Sequence, residues 1–173
     1  MARRIEHRST SEWPASEVHA ALIDLEYLRG RLAELGGTRP ELLAHDVSGS
    51  TARFQLRQGV STDSLPPVAR TVVGAGDLVI DRTESWRRAE DGHYTGEIAA
   101  EVAGVPCEIT GSMWLRDLAE PVGDQVSEFL VDGSVKVGLP FVGGKLEDLV
   151  ADQVQKLLAR EERFTADWLA QRS

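Results

Sequence analysis

The sequence contains no asparagine and therefore no N-glycosylation sequon. It has one cysteine, Cys107, which excludes an internal disulfide and any CxxC metal or redox pair. Only Lys136, Lys145 and Lys156 are lysines among the 19 basic residues; against 28 acidic residues they leave a formal net charge of -9. That sign repels phosphate and argues against a nucleic-acid partner. No run of about 18 apolar residues occurs, so no stable membrane insertion is expected. The N-terminus argues against export, since Met1-Ala2-Arg3-Arg4 runs into Ile5-Glu6-His7-Arg8 and not into an apolar segment. A cytoplasmic protein is the expectation. What is present is ordinary for a folded chain. The 173 residues are 42% hydrophobic and 27% charged, enough for one domain over 1–173 and too apolar for wholesale disorder.

The patterning predicts an α+β chain. Ile5 to Ser11 reads as a strand stopped by Trp13-Pro14. Val18, Leu22, Leu25, Leu28, Leu32 and Leu35 recur at helical spacing, as one helix or as two broken near Asp24. Two strands flank Gly49, and Val68 to Val73 reads as a short helix. Four strands then form a meander from about residue 78 to 137, with turns at Glu90-Asp91-Gly92, Ala103 to Pro106 and Glu120 to Asp124. Their period-2 alternation gives one apolar and one polar face, so helices must cover the sheet on one side. Glu97, Glu101, Glu108 and Glu128 fall on the face expected to be solvated. From Lys145 onward apolar residues repeat at helical spacing with no glycine or proline, predicting an amphipathic helix of about 25 residues across the sheet.

This order resembles the START-like helix-grip superfamily of birch-pollen-allergen-type proteins, polyketide cyclases and START lipid-transfer domains. The local piece that carries the resemblance is Val18-His19-Ala20-Ala21-Leu22-Ile23-Asp24-Leu25-Glu26-Tyr27-Leu28, which is similar to the V-W-x-x-L-x-D-P-E-x-L helix-turn-helix. His19 stands in place of tryptophan and Leu25 in place of proline. With Leu78 to Trp86 and Gly143-Gly144-Lys145-Leu146-Glu147, the chain resembles a family of unknown function from high-GC bacteria. The resemblance implies a curved sheet of about seven antiparallel strands around the last helix. It also implies a cavity between them for a hydrophobic small molecule, and it supplies no catalytic residues.

The familiar chemical motifs are missing. Gly138 to Lys145 has glycine where a phosphate loop needs lysine, and Gly74-Ala75-Gly76 lacks the third glycine of a dinucleotide loop. His7, His19, His45 and His93 are scattered without metal-ligand spacing, so no metal and no cofactor is expected. No GxSxG elbow occurs, and Cys107 has no cation near it in sequence to activate it.

One strand breaks the apolar pattern. Ile80, Arg82, Glu84 and Trp86 share a face, so Arg82 and Glu84 point inward if Ile80 and Trp86 do. A buried charge needs a partner. They pair with each other, reach solvent at an edge, or hold the polar end of a ligand. Gly96, Ala100 and Gly111 on the inner face either allow close packing or leave space for a ligand. The candidate ligand-binding residues are His7, Ile80, Arg82, Glu84, Trp86, Ile98, Ile109, Gly111, Met113 and Phe129, with Val150, Val154 and Leu157 facing them from the long helix. The expected function is non-catalytic binding or carriage of a hydrophobic small molecule or lipid. The alternatives are a cyclase- or dehydratase-like enzyme using Arg82, Glu84 or His7 as acid–base groups, and a protein-interaction module using Trp114 or the acidic surface.

Overall fold

The structure, a computed structural model, describes residues 2–74 and 76–172; Ala75 of the Gly74-Ala75-Gly76 turn, Met1 and Ser173 lie outside the described residues. The element order is β1 (Arg3–Ser11), α1 (Ala15–Leu22), α2 (Leu25–Leu35), β2 (Glu41–Ser48), β3 (Thr51–Val60), α3 (Pro67–Val73), β4 (Leu78–Glu90), β5 (His93–Val102), β6 (Cys107–Val122), β7 (Gln125–Val137) and α4 (Gly143–Arg172). A single turn of 3-10 helix, Thr62–Ser64, precedes α3. The strands form one curved antiparallel sheet in the order β1-β7-β6-β5-β4-β3-β2. β2 to β7 follow one another as a meander, and β1 closes the far edge by pairing with β7 from Arg3↔Val135 to Ser11↔Ser127.

The first helical region is two helices. Asp24 has an extended backbone, and its carboxylate accepts the Tyr27 N–H at 2.9 Å, which restarts the helix. α1 follows Pro14, whose side chain cannot cap it; Asp117 of β6 accepts the Ala15 N–H at 2.8 Å instead. The Ser127 hydroxyl donates to the Trp13 carbonyl at 2.6 Å. The β1–α1 junction is thereby tied to β6 and β7.

α4 has 30 residues and two different halves. Its first half lies along β1 and β7, with Leu146 and Ala151 buried. Glu147 accepts the Val137 N–H at 2.9 Å, and the Gln155 amide donates to the Glu6 carbonyl of the edge strand. The second half packs on α2. Phe164 and Trp168 meet Tyr27 at ring-centroid distances of 5.4 and 5.6 Å. Gly30 makes that approach possible, because a Cβ there would come within 3.3 Å of Phe164 Cζ.

Two details differ from the sequence expectation. Glu128 is not solvated: it is 2% exposed, covered by Arg8 of β1 and Arg116 of β6, whose Nε atoms donate to its two oxygens at 2.9 and 2.6 Å. Burial opposes its charge, but the two guanidiniums outweigh that and hold the carboxyl below the ordinary glutamate range. The inner-face glycines, in turn, leave little room. A Cβ on Gly96 would stand 3.0 Å from Met113 Cε and from Trp86 Cδ2, and one on Gly111 would stand 3.2 Å from Ile98 Cγ2. Neighbouring side chains already fill the volume those residues give up.

Candidate functional site

A cavity of about 400 Å³ lies between the second half of α4, the α1–α2 pair and the inner face of the sheet. That is within the roughly 300–1,000 Å³ of small-molecule sites. The sheet contributes Trp86, Ile98, Met113, Leu115, Phe129 and Val131; Val18 and Leu22 come from α1, Leu158 and Leu169 from α4. Trp86 is held in place on both sides. His19 meets it edge-on at 5.9 Å while stacking on Tyr94 at 4.1 Å, and Phe129 lies 6.0 Å away. Burial pushes the His19 imidazole down to a pKa of about 4, so it is neutral near pH 7.

The inner end of the cavity is polar. Arg31 of α2, Arg82 and Glu84 of β4, and Glu161 of α4 meet there at 3%, 5%, 4% and 6% exposure, so water cannot stand in for any partner. Arg82 donates to both Glu161 oxygens, from Nη1 at 2.8 Å and from Nη2 at 3.1 Å. The same Nη2 donates to Glu84 Oε1 at 3.1 Å, and Arg31 Nη2 donates to Glu84 Oε2 at 2.8 Å. Arg31 Nε stands 3.6 Å from Glu161 Oε2. Two guanidiniums and two carboxylates therefore form a charge-balanced quartet, in which the buried Arg31 Nε and Arg82 Nε have no hydrogen-bond acceptor. Burial opposes ionisation of Glu84, but Arg82 and Arg31 prevail and hold it below its ordinary value. Burial likewise opposes charge on the arginines, and Glu161 with Glu84 keeps both above the ordinary arginine value. Tyr27 sits alongside. The Thr165 hydroxyl donates to the Glu161 carbonyl at 2.8 Å, which leaves the Tyr27 hydroxyl to donate to Thr165 Oγ1 at 2.8 Å.

The rim carries exposed Glu12, Arg163, Ala166 and Asp167, with half-buried Glu162. Asp124 sits beside Glu12 and raises its pKa, by hydrogen bonding and then by charge repulsion.

Of the residues expected to bind ligand, Arg82, Glu84, Trp86, Ile98, Met113 and Phe129 line the cavity. His7, Ile80, Ile109, Gly111, Val150, Val154 and Leu157 are outside that wall. His7 Nε2 lies 3.3 Å from a Glu162 carboxylate oxygen; Val150 and Val154 pack on the core under the first half of α4. Arg31, Glu161, Tyr27, Thr165, Leu115, Val131 and Leu158 were not anticipated. Their signal was periodicity: Arg31 continues the buried line Tyr27, Leu28, Leu32, and Glu161 follows Leu158 by three residues. Cys107 is buried away from the cavity, and burial, with Glu147 and Glu108, raises its thiol pKa. Among the described residues no three His, Cys, Asp or Glu side chains converge as a metal site, and no helix is long and apolar enough to cross a membrane.

Residues 6–169 match the model of a family described as "Protein of unknown function (DUF2505)". An uncharacterized protein of Mycobacterium tuberculosis H37Rv, Rv0481c, is 30% identical over 174 residues, covering 98% of each chain. Among solved structures, TTHA0849 from Thermus thermophilus is similar at a TM-score of 0.61 with 14% identity, covering 99% of each chain. A START superfamily protein from Mycobacterium smegmatis matches at 0.50 and 13%, covering 96% of this chain and 98% of that one. The Zhui aromatase/cyclase from Streptomyces sp. R1128 matches at 0.50 and 12%, covering 96% and 90%. These likenesses concern the fold alone, and the fold is the START-like helix grip.

Proposed function

The chain belongs to the DUF2505 family, and we propose that it binds a hydrophobic small molecule in the cavity beneath the second half of α4, as a non-catalytic binding or carrier protein. One observation carries the reading: a space of about 400 Å³ walled on the sheet side by Trp86, Ile98, Met113, Leu115, Phe129 and Val131. Apolar surface transferred there from water gains roughly 25 cal/mol per Å². The second half of α4 carries Glu162, Arg163, Ala166 and Asp167 at the rim, where a ligand would enter. Membrane-free carriage through the cytoplasm suits a chain of this composition.

Catalysis has less support. Arg82 and Glu84, the leading acid–base candidates, are engaged with each other, Arg31 and Glu161. A group so paired has no proton poised for exchange near neutral pH. Native mass spectrometry of the protein purified from its own host is the direct test. A complex that releases a small apolar molecule on activation is the expected result. Bare chain mass from host-purified protein, together with no binding of apolar probes, would overturn the proposal.

A further inference from the structure

We propose that the cavity selects neutral apolar ligands and rejects organic anions such as fatty acids, an inference that rests on the ligand-binding reading above. The charges of its wall carry it. Five acids, Glu12, Glu84, Glu161, Glu162 and Asp167, line the space against three arginines, Arg31, Arg82 and Arg163. The excess acid is at the rim, where Asp124 stands beside Glu12. An anion must cross that rim against like charge.

At the inner end each cation is already matched by a protein carboxylate, although Arg31 Nε and Arg82 Nε have no acceptor of their own. Arg82 is committed to Glu161 and Glu84, and Arg31 to Glu84. A ligand carboxylate reaching either guanidinium has to displace a protein carboxylate that is 4% or 6% exposed and has no water to turn to. The exchange trades one buried ion pair for another and adds an uncompensated negative charge. A neutral molecule meets neither obstacle, because the quartet is charge-balanced without it and Trp86, Ile98, Met113, Leu115 and Phe129 offer it apolar surface. A charged strand face in an apolar cavity therefore reads as a structural plug, not as a counter-ion awaiting a ligand acid.

The test uses two probes with the same fused-ring and anilino skeleton: uncharged N-phenyl-1-naphthylamine and anionic 8-anilino-1-naphthalenesulfonate. Titrated into the full chain at low and high salt, the neutral probe should bind at least about tenfold tighter than the sulfonate. Glu161→Gln removes one carboxylate from the quartet and leaves an unbalanced guanidinium, so sulfonate affinity should rise and the preference collapse. If Glu161→Gln fails to fold, the exposed double change Glu12→Gln and Asp167→Asn serves instead. It should strengthen sulfonate binding at low salt, with the gain disappearing at high salt. Equal binding of the two probes, or tighter binding of the sulfonate, would overturn the selectivity and leave cavity binding standing. Binding of neither probe would remove the ligand-binding reading itself.

Discussion

Replacing Arg82 by methionine should destabilise the fold by about 3–5 kcal/mol, the cost of breaking a buried ion pair by removing one partner. The loss can be followed atom by atom. Glu161 loses hydrogen bonds at 2.8 and 3.1 Å, and Glu84 loses one at 3.1 Å. Arg31 then faces two carboxylates alone, hydrogen-bonded to Glu84 at 2.8 Å and no nearer than 3.6 Å to Glu161. With Glu161 only 6% exposed, water cannot replace the lost donors. At about 2–4 °C per kcal/mol for a chain of this size, the melting temperature should fall by roughly 6–20 °C. Removing Glu161 as well restores the balance, since Arg31 and Glu84 remain a pair. The double variant Arg82→Met with Glu161→Leu should therefore be less destabilised than the sum of its singles, by about 1–3 kcal/mol of coupling. Glu84 supplies the pH dependence. Its folded pKa lies below the ordinary value of about 4.5, so its stabilisation is complete above that pH and is lost as pH falls through the folded value. Arg82→Met takes away one of the cations responsible. The gap between wild type and variant should be widest near neutrality and narrow as the pH falls below the ordinary value of 4.5. Urea melts of the four proteins of this double-mutant cycle, at pH 7 and pH 4, measure all three quantities. Strict additivity at pH 7, or a cost for Arg82→Met below about 1 kcal/mol, would show that the quartet is not a buried unit.

Other expectations follow from single contacts. Asp117→Ala removes the side chain that caps the Ala15 N–H and should lower stability by about 1 kcal/mol in denaturant melts. Gly144→Ala should raise stability by about 0.5–1 kcal/mol, because its Cβ meets nothing within 4 Å in the first turn of α4. Gly96→Ala should do the opposite: a Cβ there would stand 2.6 Å from the Ser85 carbonyl oxygen, so β4 and β5 must shift apart. Thermal melts of the two glycine variants check the signs together.

Much of this fold was legible in the sequence, because side-chain periodicity is geometric. Alternation along 78–137 separated the faces of β4 to β7, and Asp24 marked the break between α1 and α2 because its carboxylate caps the second helix. The candidate site was legible only in part. Arg82 and Glu84 stood out as charges on an apolar strand face. Their partners did not, since Arg31 and Glu161 lie on amphipathic helices, where a charge reads as solvated. Register hid the rest. Glu128 lies on the convex face by parity and is buried because Arg116 falls opposite it on β6 while Arg8, two residues before its β1 partner Thr10, reaches it diagonally. The inner glycines looked like missing volume, yet Trp86, Met113 and Ile98 lean into it. The cavity sits under the second half of α4 and not the first, because Leu146, Val150 and Val154 pack down on the core while Phe164 and Trp168 engage α2.

Met113 offers the most direct test of cavity binding. It lines the cavity, and the sequence has only 2 methionines, the other being Met1. Protein carrying 13C at the methionine methyls gives a Met113 resonance to follow as N-phenyl-1-naphthylamine is added. Ring currents from a ligand lodged against Trp86 and Phe129 should move the Met113 signal and give nuclear Overhauser contacts to it. Ala166→Trp, at an exposed rim position of α4, should suppress that shift without unfolding the chain. A Met113 resonance that stays still while the probe demonstrably binds would contradict the account.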